Sequence, residues 1–198
     1  MNIPVLIIAI VLLSSCAMPP AGLQRGKDAL LDRDYAAAFR EFQPLAEQGN
    51  AEAQFRLGNF YITGKGARQD YAAGAEWHRR SAERGYAKAQ HNLGVAYAAG
   101  QGVPLDLEMA AKWFQRAAEQ GLAEAQLSLG NSYFLGEGVP QNYIYAHMWL
   151  NLSVSGGNER AIEILDFITS LMIPEQIAEA QRLAAECLKN DYKGCSVL

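Results

Sequence analysis

The chain has 198 residues, half of them hydrophobic, and a formal charge of −4, which allows a substantial core in one continuous domain. It holds 17 Lys and Arg against 21 Asp and Glu, and its densest basic spot is Arg79-Arg80. That balance excludes the clustered positive surface that nucleic-acid phosphates need. The Arg79-Arg80 pair reads as a solvated helix face.

From the N-terminus, Ile3 to Leu13 forms an apolar run interrupted only by Pro4. A membrane-spanning helix needs about 20 apolar residues, so the run fits the h-region of a signal peptide better. An uncleaved anchor or a buried helix is the alternative. The run ends in Leu13-Ser14-Ser15-Cys16, which resembles the bacterial lipobox. The resemblance implies a signal peptide over residues 1–15, lipidation at Cys16 and a short tether over residues 16–22. Ala17 follows the cysteine; by analogy with Gram-negative sorting, this implies an outer-membrane anchor with the folded part facing the periplasm.

Residues 23–50 read as a capping half-repeat. A helix is expected from about Leu23 to Leu31, then a connection through Asp32-Arg33, then a second helix that Pro44 should kink, because proline removes one backbone hydrogen bond.

Three full units follow, at residues 51–86, 87–122 and 123–158. Asp34, Asp70, Asp106 and Asn142 stand 36 residues apart, as do Gly49, Gly85, Gly121 and Gly157. Such a period marks stacked supersecondary units rather than one closed globule. The units open Ala-Glu-Ala-Gln, Ala-Lys-Ala-Gln and Ala-Glu-Ala-Gln, then reach Leu57-Gly58, Leu93-Gly94 and Leu129-Gly130, then Tyr61, Tyr97 and Tyr133. These positions fall at helical spacing. Glycine inside a helix costs about 1 kcal/mol against alanine, so its return in each unit predicts close helix packing. A glycine-rich loop follows, with Pro104 and Pro140 delaying the next helix. Asp70, Asp106 and Asn142 then stand where a side-chain acceptor should cap a second helix. That helix carries Trp77, Trp113 and Trp149, each expected to fill the space between layers.

Residues 159–198 depart from the pattern, as a terminal cap that must meet water is expected to do. Ala161, Ile162, Leu165 and Ile168 mark one helix. Pro174 at a first helical position opens another, with Ile177, Ala180, Leu183/Ala184 and Cys187/Leu188 on one face.

The pattern A-x-A-Q-x-x-L-G-x-x-Y, followed by G-x-G-V-P-x-D and A-x-K-W-F-x-x-A-A-E-Q-G, resembles the Sel-one-like repeat, a relative of the tetratricopeptide repeat. Residues 87–122 match almost throughout, and the likeness runs over about 34–158. Lys65-Gly66-Ala67-Arg68 lacks the Val-Pro pair, Asn142 replaces aspartate, and Ile173 stands where a capping threonine is usual. The resemblance implies an all-α, right-handed α/α solenoid of helix–loop–helix repeats. It also implies an adaptor that binds a protein or peptide partner in the cell envelope, with no cofactor. In tetratricopeptide-type repeats the first helix of each unit lines the concave face. That geometry points to Phe55, Asn59, Ile62, His91, Val95, Leu127, Asn131 and Phe134 as groove residues, although Phe55 and Phe134 could instead fill gaps between layers.

With Cys16 assigned to lipid, Cys187 and Cys195 remain, as a disulfide pinning the C-terminus or as two reduced thiols. His78, His91 and His147 lack zinc-ligand spacing, and the Gly-x-Gly pairs lack the third glycine and preceding strand of a nucleotide fingerprint. No serine acyl-transfer signature is present. The leading expectation is therefore a lipid-anchored scaffold rather than an enzyme. A hydrolase acting on cell-wall material or β-lactams is an alternative by analogy with cysteine-rich relatives, but residues 51–158 contain no cysteine. A binder of envelope polysaccharide is the third reading.

Overall fold

The computed structural model describes residues 21–195. They form ten helices: α1 (Ala21–Leu31), α2 (Tyr35–Glu47), α3 (Ala51–Thr63), α4 (Tyr71–Glu83), α5 (Ala87–Ala99), α6 (Leu107–Ala118), α7 (Ala123–Leu135), α8 (Tyr143–Ser155), α9 (Arg160–Ser170) and α10 (Pro174–Lys189). No strand occurs among the described residues. Each helix through α9 packs on its sequence neighbour, so the fold is an all-α solenoid. The expected signal peptide, Cys16 and most of the expected tether lie outside the described residues. Ala21 and Gly22, expected in the tether, instead form the first turn of α1.

The recurrent acidic and amide side chains start the second helices as anticipated. Asp34, Asp70 and Asp106 accept a hydrogen bond from the backbone N–H three residues on, and Asn142 accepts from Ile144 and Tyr145. Each satisfies a donor that the first helical turn leaves without a partner. Pro44 lies inside α2, which runs on through it to Glu47.

Helical glycines set the hairpin spacing. A Cβ at Gly58, Gly94 or Gly130 would meet His78 at 2.2 Å, Phe114 at 2.6 Å or Leu150 at 2.8 Å. The glycine thus lets two helices approach across one fixed contact, and only the side chain opposite changes. The loop glycines play the corresponding role between units. A Cβ at Gly102 would lie 2.1 Å from the carbonyl oxygen of Tyr71, and one at Gly138 would lie 2.0 Å from that of Leu107. Each loop is therefore pressed onto the start of the preceding second helix.

Buried amides tie one unit to the next. Gln54, Gln90 and Gln126 donate to the carbonyls of Ala46, Ala82 and Ala118, which also accept from the backbone N–H of Gly49, Gly85 and Gly121 at the ends of α2, α4 and α6. Trp77, Trp113 and Trp149 occupy equivalent places with graded cover: Trp77 is half-buried, Trp113 is buried and Trp149 is fully enclosed. Arg80 and Arg116 lie over the first two rings, at 4.8 and 4.5 Å from the ring centres.

At the C-terminal end, α10 packs on α8 rather than chiefly on α9. This explains why α8, covered on several sides, buries Met148, Trp149, Leu150 and Leu152 together. Cys187 and Cys195 are joined by a disulfide, which turns the tail back on α10. The Tyr192 ring comes to rest where a Cβ on Gly121 would meet it at 2.9 Å.

Candidate protein-interaction face

The first helices α3, α5, α7 and α9 repeat the same positions every 36 residues, so their side chains fall into rows. One row is Phe55, His91 and Leu127. Phe55 is only 8 % exposed and stacks on His78 with ring centres 5.6 Å apart, while Tyr86 lies 5.2 Å from its other side. His91 faces Phe114 at the same 5.6 Å, and Leu127 packs against the C-terminal core. The row therefore fills the space between layers. Phe55 thus takes the gap-filling place rather than an open one: His78 and Tyr86 of its own unit cover its ring, and it joins Ala89 and Leu93 of the next unit in one buried cluster.

The next row is Asn59, Val95 and Asn131, and the register extends it to Phe167. Asn59 is half-buried, and its Oδ1 accepts from His78 Nε2 at 3.1 Å and Asn92 Nδ2 at 3.2 Å. Burial holds the His78 imidazole down at a pKa of about 4, so it is neutral near pH 7. Burial also lowers the pKa of His91, partly offset by Glu124, and that of His147. Val95 is 43 % exposed and Phe167 55 % exposed.

In the third row, Ile62 packs over Gly74, whereas Phe134 is half-buried with Phe167 edge-on at 5.9 Å and Tyr143 at 5.8 Å. Leu135 and Leu171 are 56 % and 47 % exposed. Asn131 and Leu135 border a 250 Å3 dent floored by Ala98 and Phe114. The exposed apolar surface of the first helices thus rises toward the C-terminal end, with Leu135, Phe167 and Leu171 added to the groove set read from sequence. Continuing the 36-residue step from Asn131 reaches Phe167, and that was the signal available for it.

Ser128 Oγ lies 3.1 Å from His91 Nε2 and donates to the carbonyl of Glu124. With its proton committed there, the hydroxyl accepts from the imidazole. It is not held as a nucleophile facing a base. Among the described residues no group of three or more His, Cys, Asp and Glu could hold a metal ion. No helix among them is long and apolar enough to cross a membrane.

The Sel1 repeat family model matches residues 51–86, 87–122 and 123–158. The chain belongs to the Sel1 repeat family. Sel1 repeat proteins generally mediate protein–protein interaction, and the fold is typically a non-catalytic scaffold. This Sel1 repeat chain is similar to a protective antigen present in uropathogenic Escherichia coli strains that displays an SLR fold, at 34% identity and a TM-score of 0.74, over 83% of this chain. The match spans only 37% of the antigen's length. The chain is also similar to a Sel1 repeat protein from Oxalobacter formigenes, at 36% identity and a TM-score of 0.60, over 64% of this chain and 96% of that one. No curated protein matches the chain.

Proposed function

We infer that this protein is a lipid-anchored adaptor of the cell envelope, held at the outer membrane through Cys16 and presenting its first-helix face to a protein partner in the periplasm. The supporting observation is that Val95, Leu135 and Phe167 on the first helices, and Leu171 at the end of α9, are exposed, with Phe134 half-buried. A few residues carry most of the affinity at an interface, and aromatic anchors are prominent among them, which makes Phe134 and Phe167 the main candidates here. Asn131 adds a polar group on the first-helix face, with no hydrogen-bond partner among the described residues. The anchor rests on the likeness of Leu13–Cys16 to a lipobox, and several acyl chains would make such attachment durable.

Two experiments test the two halves separately. A photo-reactive residue placed at Val95 or Phe167 in intact cells is expected to cross-link a specific envelope protein, and Phe134→Ala with Phe167→Ala to reduce its recovery at least about tenfold without unfolding the chain. Undiminished recovery would discard this face as the contact. Cys16→Ser is expected to move the protein from the membrane to the soluble periplasmic fraction; an unchanged distribution argues against the lipid anchor and leaves the face untouched.

A further inference from the structure

The contact between the second and third units contains an opening that the contact between the N-terminal cap and the first unit fills with a ring. Ala111, Tyr133, Val139 and Tyr145 border a pocket of 410 Å3, with Glu108 and Lys112 on its rim. Two repeat lengths earlier, the places of Ala111 and Tyr133 are held by Phe39 and Tyr61. Those two rings meet edge to face with centres 5.8 Å apart, and Phe39 also lies edge-on to Phe60 at 5.9 Å. The same backbone arrangement therefore accepts a phenyl ring beside the recurrent tyrosine. At Ala111 a methyl group stands where that ring begins.

The surroundings suit an incoming aromatic group. Tyr133 and Tyr145 lie with ring centres 5.3 Å apart, and aromatic rings prefer tilted or edge-on neighbours at such distances. The volume falls within the range of sites that enclose a ligand group. At the rim, Glu108 and Lys112 are one helical turn apart and in no ion pair among the described residues. One unit earlier the place of Lys112 is taken by Glu76, which Arg79 and Arg80 hold at 2.8 Å each. The charges at the rim of this opening are thus available to an occupant.

We propose that this pocket receives an aromatic side chain of a protein partner, seated beside Tyr133 as Phe39 is seated beside Tyr61, with Glu108 and Lys112 pairing with charges that flank it in the partner. The site lies at the loop edge, apart from the first-helix face, and stands independently of the function proposed above.

The test is titration of the full chain with N-acetyl-phenylalaninamide, followed by methyl NMR. Saturable upfield shifts of the Ala111 and Val139 methyl groups are expected, with N-acetyl-leucinamide binding at least about fivefold more weakly. Ala111→Phe, which supplies the ring internally, should keep the fold and weaken the probe at least about tenfold. Phe39→Ala should open a second site whose shifts appear around Tyr61. Acetyl-Glu-Phe-Lys-amide should bind about threefold tighter than acetyl-Ala-Phe-Ala-amide. Absence of saturable shifts at Ala111 and Val139 in the unaltered chain would overturn the proposal whatever the variants do. So would leucine and phenylalanine probes binding equally, or a folded Ala111→Phe protein that binds as well as the original. Equal affinity of the two tripeptides would remove the role of the rim charges.

Discussion

In the units of residues 51–158 the two helices of each hairpin close on one another, whereas α9 and α10 part and α10 settles on α8. Register explains the difference. The places held by Gly58, Gly94 and Gly130 pass in α9 to Asp166, and those held by His78, Phe114 and Leu150 pass in α10 to Glu186. Closing the last hairpin in the same way would press a carboxylate against a helix and bring a second carboxylate to meet it. Both remain exposed, Glu186 paired with Arg182, since burying a charge is far costlier than leaving it in water. The end of the stack is thus covered by a helix that crosses back, and the solenoid stops.

This contrast can be broken most directly at an interior glycine. Gly94→Leu would place its Cβ 2.6 Å from the Phe114 ring and 3.1 Å from the Ala110 carbonyl oxygen, so a loss of about 3 kcal/mol is expected by urea unfolding. A nearly equal effect is expected from acid acting through His78 in the first full unit, with losses of the same sign from His91 and His147 in the next two. The unfolded His78 imidazole takes up a proton near 6.5, but the buried one resists until about 4. Between those values the unfolded state binds more protons, so the contribution of His78 is whole above pH 6.5 and falls by about 3 kcal/mol as pH drops to 4. Urea melts at several pH values check this, and His78→Phe, which copies the residue of the second unit, should flatten that part of the profile.

In the terminal unit the disulfide is the feature to remove. Cys195→Ser, or reduction, opens a bridge spanning 8 residues and is expected to cost about 2 kcal/mol. Hydrogen exchange should show the loss in the last turns of α10 and around Tyr192, with α3 to α6 unaffected. A smaller change is expected from Asp106→Ala, which removes the cap on α6, at about 1 kcal/mol by thermal melting. Asp166→Gly should be the mildest, at about 0.5 kcal/mol from helix propensity. A large loss there would mean that the α9 carboxylate supports the cap rather than merely keeping the hairpin open.

Much of the fold was legible in the residues because each unit repeats its own punctuation. The capping side chains, the glycines Gly64, Gly100 and Gly136 that end the first helices in left-handed conformation, and the tryptophan positions act within a unit or on its immediate neighbour, so their spacing carries the information. The interaction face was only partly legible. Phe55 and Val95 are both apolar residues of a first helix, yet one is sealed by His78 and Tyr86 while the other meets solvent. That distinction depends on the identity of a residue more than twenty positions away, which no local pattern contains. The pocket beside Tyr133 was hidden for the same reason: an alanine in a helix looks ordinary until Phe39 is found occupying the matching place.

By itself the sequence determined the repeating unit, its helix boundaries and the contacts that each glycine must permit, because backbone sterics and capping chemistry act over a few residues. Only the tertiary structure decided which side chains of the first helices are left to a partner, where the stack ends and which contact between units stays open. Those outcomes depend on what each side chain meets across a layer, and that is set by packing between segments about twenty to forty residues apart.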